Sequence, residues 1–301
     1  MIYTLTFSPS LDYYIDIPVF NLGEINRSSR EKFEPGGKGV NVSLILKELN
    51  LESIALGFAA GFTGDELEKI LLEKGIKTDF VRTKGNTRIN IKINSSLESA
   101  INTTAPSISE KEISLLFQKL QNLNGGDILC IGGNVPRTLP KDIYVKIMQS
   151  LENRNIKIVV DATGDLLLST LPYHPFLIKP NQEELEEIMK RKLNTPEDII
   201  ESAYSLIQMG AQNVIVSLGK DGAIMVDEND NIYIKPTIEG KLKSSVGAGD
   251  SLVGGFIAGY LKNGNYEDAL ELGIAAGTAT AFSDYLSSSN KIIEIYNRII
   301  R

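Results

Sequence analysis

Cysteine and histidine each occur once in the 301 residues. A lone Cys130 excludes an internal disulfide framework. A lone His174, set among prolines in LPYHPF with no second histidine or cysteine nearby, excludes a histidine-built metal cage or a Ser-His-Asp triad and reads as structural. No apolar run approaches the roughly 20 residues that a membrane span needs, so no membrane partner is expected. The opening MIYTLTFSPS has neither the basic start nor the apolar stretch of a secretory signal, and the expectation is a cytoplasmic protein. A formal net charge of −7 argues against a nucleic-acid partner, so an anionic ligand has to be met by basic groups gathered in a cleft. Repeats of solenoid period, low-complexity tracts and a Pro/Ser-rich linker are also missing. With 42% hydrophobic and 23% charged residues, the chain reads as one large α/β domain over 1–301.

What is present alternates. Short apolar runs (DILCIGG, IKIVVDAT, FLIKPN, NVIVSLG) are separated by amphipathic stretches such as KDIYVKIMQSLENRN and PEDIIESAYSLIQMG, the pattern of a doubly wound parallel sheet buried on both faces. LDYYIDIPVF and NTRINIKINSS instead read as strands with one apolar and one polar face. They predict a small second sheet, drawn from about 11–35 and 86–104, that packs as a lid over the larger domain or against another subunit.

Two glycine clusters open helices. In SSVGAGDSLVGGF, apolar Leu252, Val253, Phe256, Ile257 and Tyr260 recur at helical spacing, which places Gly247, Ala248 and Gly249 at a helix N-terminus. Unpaired N–H groups and the helix dipole there favour an anion such as a phosphoryl group. Asp250, in the first turn, is placed either to accept a proton from an attacking hydroxyl or merely to cap the helix. In EPGGKGVNVSLILKEL, Gly36, Gly37 and Gly39 precede a helix from about Val40. No G-x-x-x-x-G-K-[ST] occurs, and without a preceding strand the cluster is not a dinucleotide fingerprint. Asn41 and backbone N–H groups suit sugar hydroxyls, or the loop is simply tight for packing.

Together, PGGKGVN and SVGAGDSLVGGF resemble the two signatures of the ribokinase-like (PfkB) carbohydrate kinases. The likeness runs from TFSPSLD through TRINIK, LIKPNQEE and VSLGKDGA to GTATAF, and is nearest to 1-phosphofructokinases and tagatose-6-phosphate kinases. It implies a three-layer α/β/α core with a small β lid, transferring the ATP γ-phosphoryl group to a sugar hydroxyl with Mg²⁺. Carried over by position, Asp250 is similar to the catalytic base and the backbone of Gly247, Ala248 and Gly249 to the anion hole. Asp12, Gly37 and Asn41 are similar to the sugar-binding set. Lys179, Asn181, Glu184, Ser217, Gly219 and Gly222 are similar to the nucleotide site, with Glu184 acting on the metal through water. Asn181 and Glu184 also form the pattern of a capping box, and VIVSLGKDGAIMV by itself signals only a hairpin.

In TRINIKI a strand presents Arg88, Asn90 and Lys92 on one face, with Ile89, Ile91 and Ile93 on the other. That basic face suits a phosphate, with Arg27 and Lys38 as further candidates, or it is an edge strand kept basic against aggregation. TRINIK resembles the 1-phosphofructokinase form, whereas tagatose-6-phosphate kinases look more like Thr-Arg-Asn-Cys-Ile and lack a match to Lys92. Two positions depart from the nearest relatives. Gly133-Asn134-Val135-Pro136 stands where Gly-Ser is common, and Ala105-Pro106 where Gly-Pro is. The expected activity is phosphorylation of fructose 1-phosphate to the 1,6-bisphosphate, with tagatose 6-phosphate or fructose 6-phosphate as competing substrates. Competing readings are a kinase of an unphosphorylated sugar or nucleoside and a catalytically silent sugar-phosphate sensor. A homodimer through the lid is a further expectation.

Overall fold

A computed structural model describes residues 1–300. The chain opens with β1 (Ile2–Thr6), β2 (Ser10–Asp16), β3 (Arg30–Gly36), α1 (Lys38–Glu48), β4 (Ser53–Ala60), α2 (Gly61–Glu73), β5 (Lys77–Thr78), β6 (Val81–Thr83), β7 (Arg88–Asn94) and β8 (Ser99–Asn102). It continues through α3 (Glu110–Leu120), β9 (Ile128–Gly132), α4 (Ile143–Ser150), β10 (Lys157–Asp161), α5 (Gly164–Leu168), β11 (Leu177–Ile178), α6 (Gln182–Met189) and α7 (Pro196–Gln208). The last elements are β12 (Val214–Ser217), β13 (Ala223–Val226), β14 (Ile232–Lys235), α8 (Ala248–Asn263), α9 (Tyr266–Ala281) and α10 (Ser289–Ile299).

A ten-stranded sheet runs in the order β14-β13-β12-β11-β10-β9-β1-β4-β5, with β6 also on β4. It is parallel except at β12–β13 and β13–β14. Its strands are buried on both faces, which is why they read as continuous apolar runs. In β9, Leu129 and Ile131 pack toward α3, α4 and α7, while Ile128 and Cys130 pack toward α1 and α8. The three layers follow from that two-sided burial, as the alternating sequence pattern predicted. Chain order runs away from the β1/β9 boundary in both directions, making it a topological switch point. A crevice at the carboxyl ends of the strands is expected there.

β2, β3, β7 and β8 form a separate four-stranded sheet, β3-β2-β7-β8. In register, Asp12 of β2 lies beside Glu34 of β3 and Asn90 of β7. One reading is corrected here: a strand, β3, does lead directly into the PGGKG cluster. REKFEP lacks an apolar run because β3 sits in the small sheet, largely exposed, and pairs antiparallel with β2. Because β3 and β4 lie in different sheets, β3-α1-β4 is not a βαβ unit, and the dinucleotide fingerprint remains excluded. No described helix is long and apolar enough to cross a membrane.

Candidate active site

α8 begins at Gly247, whose φ of 78° lies in the left-handed region that glycine enters without strain. Ser251 N–H makes the first bond back to Gly247 O at 2.8 Å. The N–H groups of Gly249 and Asp250 precede it and have no partner within the helix. α1 likewise starts at a glycine, Gly37, with φ 117°. Close approach at Gly254, where a Cβ would lie 2.9 Å from Ile45 Cγ2, lets α8 pack directly on α1. The two helix starts therefore meet, and Asn41 Nδ2 donates to Asp250 Oδ2 at 2.7 Å.

Asp250 is 7% exposed. Burial first, and then the negative charge of Asp161, push its carboxyl up to about 6, against the opposing pull of Asn41, Lys38 and Lys179. A carboxylate so poised is ionised at neutral pH and still basic enough to take a proton in a transition state. The glycine loop and the carboxylate are thus on one helix turn.

Asp161 is a candidate site residue that sequence reasoning missed. Its Oδ1 lies 3.1 Å from Lys38 Nζ and 3.5 Å from Lys179 Nζ. Burial opposes its ionisation, but the two ammonium groups outweigh that and hold its carboxyl below the ordinary range. Lys38 responds in kind: burial alone would lower it, and Asp161 and Asp250 together raise it. Lys38, a candidate for the sugar phosphate, is thus drawn into the centre rather than held at the lid. The available signal was an aspartate closing the apolar run KIVVD at the carboxyl end of a parallel strand.

On the small sheet, Asp12 Oδ1 accepts from Ser10 Oγ at 2.6 Å and from Asn90 Nδ2 at 2.9 Å. Asp12, Asn41 and Gly247 border one cavity of about 330 Å³. Arg88 is aimed by its Nε bond to Ser8 O at 3.1 Å. Lys92 stands next on the same strand face, half-buried and in register with Tyr14. Arg27 is not brought to this group; it is exposed on the loop between β2 and β3. Asn134 follows Gly133, whose carbonyl accepts from Tyr144 Oη at 2.7 Å.

Beyond Lys179, Asn181 caps α6. Its side chain accepts from Glu184 N–H and Glu184 Oε2 accepts from Asn181 N–H, both at 2.8 Å, so the capping box is formed. A parallel bridge joins Asn181 to Ser217 at the end of β12. β12 and β13 are antiparallel neighbours joined by a tight turn in which Leu218 N–H bonds Gly222 O at 2.8 Å. Space is open around Gly219, where a Cβ would meet nothing within 4 Å. Asn181, Glu184, Ser217, Gly219 and Gly222 thus follow adjacent strand ends. His174 lies away from all of these, its Nδ1 3.0 Å from Gly210 O. No cluster of three or more His, Cys, Asp or Glu able to hold a metal ion occurs among the described residues.

The description "pfkB family carbohydrate kinase" matches residues 6–292. The chain is 40% identical to the 1-phosphofructokinase of Bacillus subtilis over 98% of its own length and 97% of the relative's. It is 37% identical to the D-tagatose-1-phosphate kinase of Bacillus licheniformis over 99% and 98% of the two chains. Phosphofructokinase-2 from Escherichia coli in complex with fructose-6-phosphate superposes with a TM-score of 0.93 at 30% identity, covering 100% of this chain and 99% of that one.

Proposed function

Because the chain belongs to the pfkB family of carbohydrate kinases, we propose that it transfers the γ-phosphoryl group of ATP to the free primary hydroxyl of a ketohexose monophosphate, with fructose 1-phosphate preferred and the 1,6-bisphosphate and ADP as products. The observation that carries this reading is Asp250, buried and oriented by Asn41 on the helix turn that leaves the N–H groups of Gly249 and Asp250 unpaired, an arrangement that suits an anion. Asp250 accepts the hydroxyl proton as the oxygen attacks phosphorus. The N–H groups of Gly249 and Asp250, with Lys38 and Lys179, receive the charge on the transferring group, whereas the Ala248 N–H is already turned to Ser245 O at 3.3 Å. Placing base and electrophile on one rigid element supplies the alignment on which phosphoryl transfer depends.

Asp12 and Asn90 fix sugar hydroxyls, and Arg88 grips the substrate's phosphate with Lys92 adding charge. Asn181, Ser217, Gly219 and Gly222 line the nucleotide's path. Mg²⁺ fits this donor set only together with the nucleotide. Among the described residues there is no acidic cage, and Glu184 already engages Oε2 in its capping bond, so one carboxylate acting through water is what the protein offers. Bound there, the ion would neutralise charge on the phosphates. Closure of the small sheet as a lid excludes water during transfer. Its outer face, where Tyr13 stacks on Phe33 with ring centroids 4.3 Å apart and Ile101 is 53% exposed, is an apolar surface suited to a second copy of the chain.

Preference between sugars follows from the lid strand. A ketohexofuranose carries a CH₂–O group at each end, so a site that grips one end presents the other to Asp250. TRINIK, with both Arg88 and Lys92, favours the 1-phosphate end. ADP release measured on fructose 1-phosphate, tagatose 1-phosphate, tagatose 6-phosphate and fructose 6-phosphate is the test. Fructose 1-phosphate is expected to give a kcat/KM at least about tenfold above either 6-phosphate, a gap of roughly 1.4 kcal/mol. A higher value for a 6-phosphate overturns the substrate assignment, and no ADP release with any sugar overturns the kinase reading.

A further inference from the structure

Asp161 closes β10 at the switch-point end of the sheet and is 3% exposed. One oxygen, Oδ1, faces ammonium groups from two different elements, Lys38 at the start of α1 and Lys179 just after β11. Neither pair is aligned as a hydrogen bond, and that buried oxygen has no hydrogen-bond partner among the described residues. Lys179 Nζ also lies 3.2 Å from where a Cβ on Gly249 would stand, against the anion loop. Buried ion pairs contribute little net stability compared with apolar packing. A carboxylate with two lysines at the catalytic end of the sheet therefore calls for another role.

We infer that Asp161 is a positioning residue for phosphoryl transfer, holding the ammonium groups of Lys38 and Lys179 beside the anion loop and away from Asp250. The inference rests on the reading of Asp250 as the base. Without a competing carboxylate, both lysines would turn to Asp250 and weaken it as a proton acceptor. The groups around Asp250 are Asn41 and Lys38 from α1, Cys130 from β9, Asp161 from β10, Lys179 after β11 and Glu184 of α6 beyond Lys38. Burial pushes the Cys130 thiol up, so it stays neutral. Removing the Asp161 charge lowers the proton affinity of Asp250 by two routes, lost repulsion and released lysines. Removing the Lys38 charge raises it.

Single-turnover phosphoryl transfer from ATP to fructose 1-phosphate, followed from pH 4.5 to 9, distinguishes this role from simple structural support. Asp161→Asn is expected to slow the plateau rate by about 10- to 100-fold while moving the acid limb down by about one pH unit. Lys38→Met is expected to move the limb upward, and the double variant, which restores charge balance, to return it near the wild-type position. Rate loss in Asp161→Asn with the limb unmoved overturns the inference. Should that variant fail to fold, an upward shift in Lys38→Met that is cancelled in the double variant supports the inference, and a shift the double variant retains overturns it. Asp250→Asn in the same series separates the two readings. If it keeps more than a tenth of the wild-type rate, the base assignment itself fails, whatever Asp161 does.

Discussion

Replacing Asn41 by leucine removes one hydrogen bond from the candidate base and leaves its surroundings nearly isosteric. The Asn41 amide donates to Asp250 Oδ2 at 2.7 Å and opposes the burial and the Asp161 charge that bring the carboxyl to about 6. A hydrogen bond to a charged group contributes roughly 1.5–3 kcal/mol. At about 1.4 kcal/mol per pKa unit, its loss moves Asp250 up by one to two units, to about 7.5. The ionised fraction at pH 7 then falls from about 0.9 to about 0.25, so single-turnover transfer should slow about fourfold. The same shift gives a ratio of about 30 at pH 5 and close to 1 at pH 9. Quench-flow measurement of γ-phosphoryl transfer at saturating sugar phosphate and ATP, at five or more pH values, reads this directly. A wild-type to variant ratio that stays constant across pH refutes the reasoning, because it would mean that Asn41 positions substrate or supports the fold without tuning Asp250.

Asp250→Asn bears on stability as well as rate. The proton affinity of Asp250 is higher in the folded chain than the ordinary 3.8, so its protonated form favours folding and that contribution is lost as pH rises through about 6. The variant should unfold about 1–3 kcal/mol harder than wild type at pH 7.5, with the gain gone near pH 4, and urea titrations showing no difference at pH 7.5 would refute this. Arg88→Ala should raise KM for the sugar phosphate by about 10- to 100-fold, equivalent to roughly 1.5–3 kcal/mol. ATP affinity measured without sugar should stay unchanged, and equal losses for both ligands would place Arg88 in the fold or the nucleotide site instead. Glu184→Gln keeps an acceptor for the Asn181 N–H but removes the charge, so Tm should hold while the Mg²⁺ concentration for half-maximal rate rises about tenfold. A lowered Tm with unchanged Mg²⁺ dependence would make Glu184 a cap only.

The sequence by itself determined whatever depends on neighbours along the chain. Two-sided burial wrote itself into the apolar runs of β9, β10 and β12, and the caps Asn181 and Gly247 into the residues that start α6 and α8. Alternation in TRINIKI placed Arg88 and Asn90 on one strand face, because side chains in a strand repeat every second residue. β3 was bracketed by the lid range of about 11–35 but left unmarked as a strand, for the opposite reason. REKFEP has no strand preference of its own, and pairing with β2 is what extends it. The tertiary structure alone decided which charges meet. Asn41 and Asp250 are 209 residues apart in sequence, and no local pattern encodes their bond. Lys38 looked like one more base for a phosphate until the sheet order set β10 two strands from β1 and put Asp161 within 3.1 Å of it. Electrostatic partnership depends on distance and burial, and both are fixed by strand order and helix packing rather than by residue type.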